Sequence, residues 1–176
     1  MTRISLPLIC ECLLFFVPLN IYGIGNNLAT GVQWALFRYQ QSYLGNSLIL
    51  IQRDLSYVFS GMLKGSSAYS ALIWVLGALL LVAALIVLAF AAARREAWLV
   101  KPAGLLTVAC AVLFLAAMLV QYGLTLHSDH GFSLPLGIPL VLVTGLWLVY
   151  GEFDDSKNGA GDNGKDTKDH DVDCSR

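Results

Sequence analysis

The sequence predicts an all-α protein: a four-transmembrane-helix bundle with an amphipathic helical outer loop and a disordered acidic C-terminal tail. Of its 176 residues, 57% are hydrophobic and only 13% are charged, whereas soluble domains carry about 25% charged residues. Four apolar stretches of about the 20 residues that a membrane helix needs follow one another. This composition excludes a water-soluble enzyme and a sequence-reading DNA-binding domain. We therefore expect the lipid bilayer as a partner and no nucleic acid.

The predicted transmembrane domain covers residues 1–150. Its four spans are about 5–24, 71–93, 103–126 and 132–150. The stretch 71–93 is free of charged residues and indicates a helix most strongly. The stretch 132–150 has Pro135 and Pro139 near its start, where helix N–H groups lack intrahelical partners, so a proline costs little there.

The first apolar stretch, 5–24, has a second interpretation as a cleaved secretory signal. It follows a basic start at Arg3, and the small residues Gly23 and Gly25 would suit cleavage. Glu11, however, places a carboxylate in what would be the apolar core of the signal. We favour a retained helix, and cleavage is the alternative.

The basic residues predict which side of the membrane each segment faces. Arg94, Arg95 and Lys101 lie in the short link between the second and third spans, whereas the much longer loop 25–70 carries three bases in all. Basic residues in short links stay on the cytoplasmic side. We expect a multi-pass protein of the cell membrane with cytoplasmic N- and C-termini, and with the loop 25–70 outside.

The outer loop 25–70 contains two stretches whose apolar residues have helical spacing. The first runs from Leu28 to Tyr43 and the second from Leu48 to Met62, with a Gly-Asn pair between them. Two amphipathic helices would lie flat on the outer leaflet or cover the bundle. The alternative is an ordinary loop that packs on the helix ends.

The C-terminal segment 151–176 differs in composition from the rest of the chain. It contains eight acidic and four basic residues, so its net charge is −4, whereas residues 1–150 carry seven bases and four acids. With so few apolar side chains, it cannot bury enough surface to offset the entropy of ordering. We predict a disordered acidic cytoplasmic tail.

Glu11 is the candidate intramembrane ionisable site. A carboxylate within an apolar span is expensive to keep charged, so it is expected to face the bundle interior or to stay protonated. The functional interpretation is a proton or cation site. The structural alternative is a pairing with a base near the cytoplasmic end of another helix, such as Lys101.

The outer turn between the third and fourth spans holds a weak metal candidate. His127, Asp129 and His130 place two imidazoles and a carboxylate within four residues, and these groups bind transition metals. Water-exposed turns use the same residue types, so we assign no metal.

The cysteines predict neither a disulfide framework nor a zinc site, because no Cys-x-x-Cys spacing occurs. They are Cys10, Cys12, Cys110 and Cys174. We assign no catalytic residue and no cofactor, since phosphate-binding glycine loops, zinc-protease motifs and nucleophile elbows are missing from the sequence.

The predicted layout resembles that of claudin-like proteins and of disulfide-forming quinone reductases, which share four spans and a large first outer loop. Both families carry outer cysteines, and the loop 25–70 has none. The resemblance covers the layout alone, so we assign no family.

These observations predict a non-enzymatic accessory or interaction subunit, with a second membrane protein or a homo-oligomer as partner. Small-residue faces that allow close helix packing support this expectation. One alternative is a small proton- or cation-coupled transporter that uses Glu11. The other is a metal-dependent membrane enzyme that uses the outer turn.

Overall fold

The computed structural model describes residues 5–25, 28–128 and 131–151. Its helices are α1 (Ser5–Leu14), α2 (Ile51–Phe59), α3 (Ser66–Arg94), α4 (Val100–Tyr122) and α5 (Ile138–Tyr150), with a short 3-10 helix at Ala97–Leu99. Its strands are β1 (Asn20–Ile24), β2 (Ala29–Gln33), β3 (Phe37–Ser42), β4 (Gly45–Leu50), β5 (His127–Ser128) and β6 (Gly131–Pro135).

The six strands form one antiparallel sheet in the order β4-β3-β2-β1-β6-β5. Strand β1 lies inside the sheet, where Asn20 pairs with Gln33 of β2 on one side and with Pro135 of β6 on the other. The sheet therefore joins the segment before α2 to the hairpin between α4 and α5. These pairings between distant parts of the chain hold the sheet at one end of the α3–α4 hairpin.

The all-α prediction is wrong, because the first part of the outer loop forms three strands of the sheet. The stretch from Leu28 to Tyr43 forms β2 and β3. The second stretch, from Leu48 to Met62, begins at the end of β4 and contains α2 (Ile51–Phe59), so it is helical over most of its length. Residues four apart lie on one face of a strand as well as on one face of a helix, so that spacing does not distinguish the two. Here the neighbouring strands supply backbone partners along β2 and β3, so the extended form is selected.

The four-span bundle is also wrong. In the described ranges, two segments are long and apolar enough to cross a membrane, Ser66–Arg94 and Ala97–Tyr122. The predicted span 71–93 lies within the first, and most of 103–126 lies within the second. The predicted spans 5–24 and 132–150 each divide into a strand and a short helix.

Proline positions explain why the first predicted span divides. Helix α1 ends at Leu14, and the chain continues through turns in which Phe16 and Val17 donate to carbonyls three residues back. Pro18 follows, and a proline has no N–H with which to continue a helix. Strand β1 begins two residues later. In the last predicted span, Pro135 ends β6 and Pro139 lies in the first turn of α5, so the helix begins later than the sequence predicts.

The helices pack closely through small residues. A Cβ added to Gly104 of α4 would lie 2.6 Å from Leu148 Cβ of α5, and one added to Gly145 would lie 2.8 Å from the backbone N of Val108. The α3–α4 contact uses Trp74 and Phe114 as well, whose ring centroids are 4.5 Å apart. The helical layer is therefore filled by backbone-to-backbone approach and aromatic packing.

The predicted disorder of the acidic tail lies outside the described residues, apart from Gly151.

Candidate functional site

A cavity of about 290 Å³ lies between the sheet and the adjoining ends of α3 and α4. We call it the interfacial cavity. Strands β1 to β3 form one wall, and α2 and the helix ends form the others. Trp74 and Met118 give it an apolar side, and Gln33 and Gln121 give it a polar side. Mixed linings of this kind are typical of small-molecule sites.

A row of polar side chains crosses the sheet wall of the interfacial cavity. Asn20 is paired with Gln33, and Gln33 is paired with Arg38 on the next strand. Paired residues on antiparallel strands project from the same face, and all three line the cavity. Because strands lie about 4.8 Å apart, the Cα atoms of Asn20 and Arg38 are about 10 Å apart.

An ion pair ties this row to α2. Arg38 Nη2 donates to Asp54 Oδ1 at 2.5 Å, and the two side chains are 22% and 15% exposed. Burial raises the pKa of Asp54, and the neighbouring Arg38 guanidinium opposes that rise. The ion pair fixes α2 against the sheet, and its two opposite charges neutralise each other.

Two polar atoms at the interfacial cavity have no hydrogen-bond partner among the described residues. They are Asn20 Oδ1 and Arg38 Nε. Asn20 is 2% exposed, and a buried polar atom without a partner costs about 1–3 kcal/mol. Most buried polar groups in native proteins are satisfied. Glu11 Oε2 and Ser133 Oγ also have no partner among the described residues, but their residues do not line the cavity. The interfacial cavity is the candidate site because two such residues share one of its walls.

Hydrogen bonds hold the helix ends that line the cavity. Ser70 Oγ of α3 lies 2.8 Å from the carbonyl oxygen of Ala117 and 3.0 Å from Gln121 Oε1, both of α4. Trp74 Nε1 donates to the carbonyl oxygen of Ala35 at 3.2 Å. The first pair of contacts links the two long helices, and the third links α3 to the sheet.

Glu11 lies away from the interfacial cavity, in the helical layer. Its side chain is fully buried, and its Oε1 is 2.8 Å from the hydroxyl of Thr107 on α4. The partner in the structure is thus a hydroxyl rather than the ammonium of Lys101, which is exposed. Glu11 Oε2 has no partner among the described residues.

The Thr107 hydroxyl lies close to two oxygen atoms, one from Glu11 and one from Ala103. Its Oγ1 is also 3.1 Å from the carbonyl oxygen of Ala103, and a hydroxyl has one proton to donate. If Thr107 donates to Ala103, then Glu11 donates to Thr107, which requires the protonated carboxyl. Burial among apolar side chains favours that neutral form.

The predicted metal candidate lies mostly outside the described residues. His127 is an exposed residue of β5, and Asp129 and His130 lie outside the described residues. Cys10, Cys12 and Cys110 are free thiols, and Cys110 is buried in α4. Cys174 also lies outside the described residues.

The opposite face of the sheet presents a continuous apolar row. Neighbouring strands pair its members in turn, so that the row crosses five strands. Most members are 36% to 57% exposed, and Val32 is half-buried. We call this set the outer apolar row: Leu134, Ile21, Val32, Tyr39 and Leu48.

The residues of the interfacial cavity were missed at the sequence level. Arg38 and Asp54 lie in the predicted outer loop 25–70, and Asn20 lies in the predicted span 5–24, so the predicted layout does not bring them together. A usable signal was present, because Arg38 and Gln40 alternate with the aromatic residues Phe37 and Tyr39 at period two. That pattern predicts a strand with one polar face.

No known protein-family model matches this chain, and no curated protein sequence matches it significantly.

Proposed function

We propose that the protein is a multi-pass protein of the cell membrane that acts as a non-enzymatic interaction subunit, with α3 and α4 as its spans. The exposed surfaces of these helices support the membrane location. The most apolar window of α3 is 33% buried, and that of Ala97–Tyr122 is 44% buried. A soluble protein would bury most of such a helix, whereas a lipid-facing helix leaves its apolar side chains on the surface.

The charges at the two ends of the helical layer support an orientation. Arg94, Arg95 and Lys101 lie where α3 gives way to α4, and the sheet lies at the other end of the same hairpin. Because short basic links stay inside, the sheet and the interfacial cavity face the outside. The packing of Leu8 of α1 and Leu148 of α5 with Leu88 and Val100, near the basic link, supports termini on the cytoplasmic side.

The outer apolar row is the observation that carries the interaction role. Described residues on this face of the sheet include no Asp, Glu, Lys or Arg, and its polar members are Thr30, Gln41, Asn46 and, at the far edge on β5, His127. Exposed, contiguous apolar surface on a folded protein marks contact sites. This face of the sheet is therefore the proposed contact surface.

A second copy of this chain is the occupant that the geometry favours. Asn20, Gln33 and Arg38 lie at the strand ends nearest the helices, so the outer apolar row runs parallel to the membrane. Two copies in one membrane share their orientation, and a two-fold axis along the membrane normal brings the two rows to the same height. An uncharged row is complementary to itself, and two sheets pack face to face at about 10 Å.

Charge insertion tests this proposal. Tyr39→Glu places a carboxylate in the row, and Tyr43→Glu places the same charge at the exposed tip of the β3–β4 hairpin as a matched control. We expect the wild type and Tyr43→Glu to be dimers in nanodiscs by mass photometry, and Tyr39→Glu to be monomeric.

Cross-linking gives an independent measurement. A two-fold axis through the middle of the row brings the two copies of Val32 together, so Val32→Cys is expected to cross-link through a bifunctional maleimide in intact membranes. Gln52→Cys, exposed on α2, serves as the control. A monomeric wild type, or a dimer that Tyr39→Glu leaves intact, would contradict the proposed interface.

Proton coupling through Glu11 is the second candidate, because its side chain is fully buried and one carboxyl oxygen has no partner among the described residues. The residues that line the interfacial cavity do not include Glu11, which is why this candidate ranks below the interaction role. Proton flux in proteoliposomes that falls in Glu11→Gln supports it, and equal flux with and without the protein removes it.

A further inference from the structure

Two side chains that line the interfacial cavity carry a hydrogen-bond acceptor and a hydrogen-bond donor without a partner among the described residues. Asn20 Oδ1 can accept a hydrogen bond and Arg38 Nε can donate one, and neither has a partner among the described residues. We propose that the cavity binds an uncharged, hydroxyl-rich group of about the size of a monosaccharide, either free or as the headgroup of a lipid.

The charge balance of the lining favours an uncharged ligand. The Arg38 guanidinium is compensated by Asp54, so an added anion would meet the Asp54 carboxylate and an added cation would meet Arg38. The other polar side chains in the lining are neutral amides and hydroxyls, among them Gln33, Gln40 and Ser70. Such groups pair with hydroxyls, which both donate and accept.

The spacing of the open atoms sets the size of the ligand. Asn20 and Arg38 stand two strands apart, so one small ion cannot serve both ends of the row. A ligand that does so carries at least two polar groups, a donor for the Asn20 amide oxygen and an acceptor for the Arg38 N–H. The volume of about 290 Å³ lies at the lower limit for small-molecule sites, which suits one sugar-sized ring.

The apolar side of the cavity fits the same class. Trp74, Met118 and Ile24 line it opposite and beside the polar row. A monosaccharide has hydroxyls around its rim and C–H groups on its faces, so it can satisfy the row while its faces lie against apolar side chains. A small ion would leave that apolar surface without a partner.

A sugar of this kind occurs either free or as the headgroup of a lipid, and the assay has a separate arm for each source. The full chain is purified in a polyoxyethylene detergent, because sugar-based detergents would compete for the site. Free glucose and N-acetylglucosamine are then titrated, with tryptophan fluorescence and thermal unfolding as readouts. In a second arm, phosphatidylcholine nanodiscs with and without monoglucosyl diacylglycerol present the same group on a lipid.

The variant Asn20→Leu tests the named acceptor, and Asn46→Leu makes the same replacement on the exposed outer face of β4. We expect Asn20→Leu to weaken binding at least tenfold and Asn46→Leu to bind like the wild type. Without ligand, Asn20→Leu is expected to unfold at the same temperature or higher, since it removes an unpaired buried acceptor. A purely structural asparagine would instead lower the unfolding temperature. Should Asn20→Leu fail to fold, Gln33→Leu tests the same row.

Each outcome decides the proposal. Saturable binding of a free sugar, or of the lipid-borne sugar alone, supports it and identifies the source. Glucuronate, which replaces a hydroxymethyl group with a carboxylate, is expected to bind at least tenfold more weakly than glucose. Equal or tighter binding of glucuronate, unchanged binding by Asn20→Leu, or no response to any uncharged probe in either arm overturns the proposal.

Discussion

The helical layer and the sheet side of this protein differ in what surrounds their buried polar groups. In the helical layer, one oxygen of the Glu11 carboxyl meets the Thr107 hydroxyl, and the other has no partner among the described residues and does not line the interfacial cavity. On the sheet side, Asn20 and Arg38 also have polar atoms without a partner among the described residues, and both residues line the cavity. The polar contact in the first region joins α1 to α4, whereas the polar residues of the second border a volume that a ligand can occupy.

This difference indicates where chemistry with a second molecule is expected. The helical layer is closed by contacts such as Gly104 against Leu148, which leave no space between α4 and α5. The sheet side combines a cavity on one face with an uncovered apolar row on the other. We therefore expect substitutions in the helical layer to change stability, and substitutions on the sheet side to change binding.

The largest effect is expected at the closest helix contact. Gly104→Leu forces a side chain into the space that Leu148 Cβ and the backbone of Gly145 occupy, and overpacking of this kind costs about 3 kcal/mol. Leu105→Val, at an exposed neighbouring position, is the control and should cost less than about 1 kcal/mol. Unfolding in mixed micelles of SDS and a mild detergent measures both. Equal stability of the two variants would show that α4 and α5 are not in backbone contact.

The next effect tests the ion pair on the sheet side. Arg38→Met leaves the half-buried Asp54 carboxylate without its partner, and we expect a loss of about 2 kcal/mol, between the values of exposed and fully buried pairs. Binding in the interfacial cavity should fall as well, which separates this variant from those in the helical layer.

The pH dependence of Arg38→Met provides its control. Burial already raises the pKa of Asp54, and removal of the opposing guanidinium raises it further. A folded-state pKa above the unfolded value means that stability falls as pH rises from the ordinary aspartate value through the raised one. The deficit of Arg38→Met should therefore be smaller at pH 4 than at pH 7.5. An equal loss of stability at pH 4 and pH 7.5 would contradict this account. So would a loss that remains in the double variant Arg38→Met/Asp54→Leu.

A smaller effect is expected for the hydroxyl that meets Glu11. Thr107→Val keeps the shape of the side chain and removes its hydrogen bond, and such bonds between membrane helices contribute about 0.6 kcal/mol on average. Because the carboxyl loses its partner as well, we expect a loss of about 1 kcal/mol. The double variant Glu11→Leu/Thr107→Val should recover most of that loss. An additive double variant would show that the two side chains do not interact.

The sequence predicted the long helices well and the outer loop poorly, for a physical reason. A run such as 71–93 has no polar residue to place, so its helix follows from length and composition alone. Strands β2 and β3 depend on partners, and one partner of β1 is β6, which follows α4 in the chain. Local spacing does not contain that pairing.

The same reasoning explains the outcome at the candidate sites. Glu11 is conspicuous in the sequence as a carboxylate in an apolar stretch, but its hydroxyl partner lies on a helix far along the chain. Asn20, Arg38 and Asp54 have ordinary surroundings in the sequence. Only the sheet register and the position of α2 bring them to one cavity.

The smallest predicted effect bears most directly on the state of Glu11. A protonated glutamic acid and a glutamine have nearly the same shape, and each can donate to the Thr107 hydroxyl. Glu11→Gln should therefore change the free energy of unfolding by less than about 0.5 kcal/mol, whereas Glu11→Ala leaves a cavity and should cost more. Unfolding in mixed micelles at neutral pH measures both variants. If Glu11→Gln is instead clearly more stable than the wild type, then the native carboxyl is held charged, because only the removal of a buried charge would supply that gain.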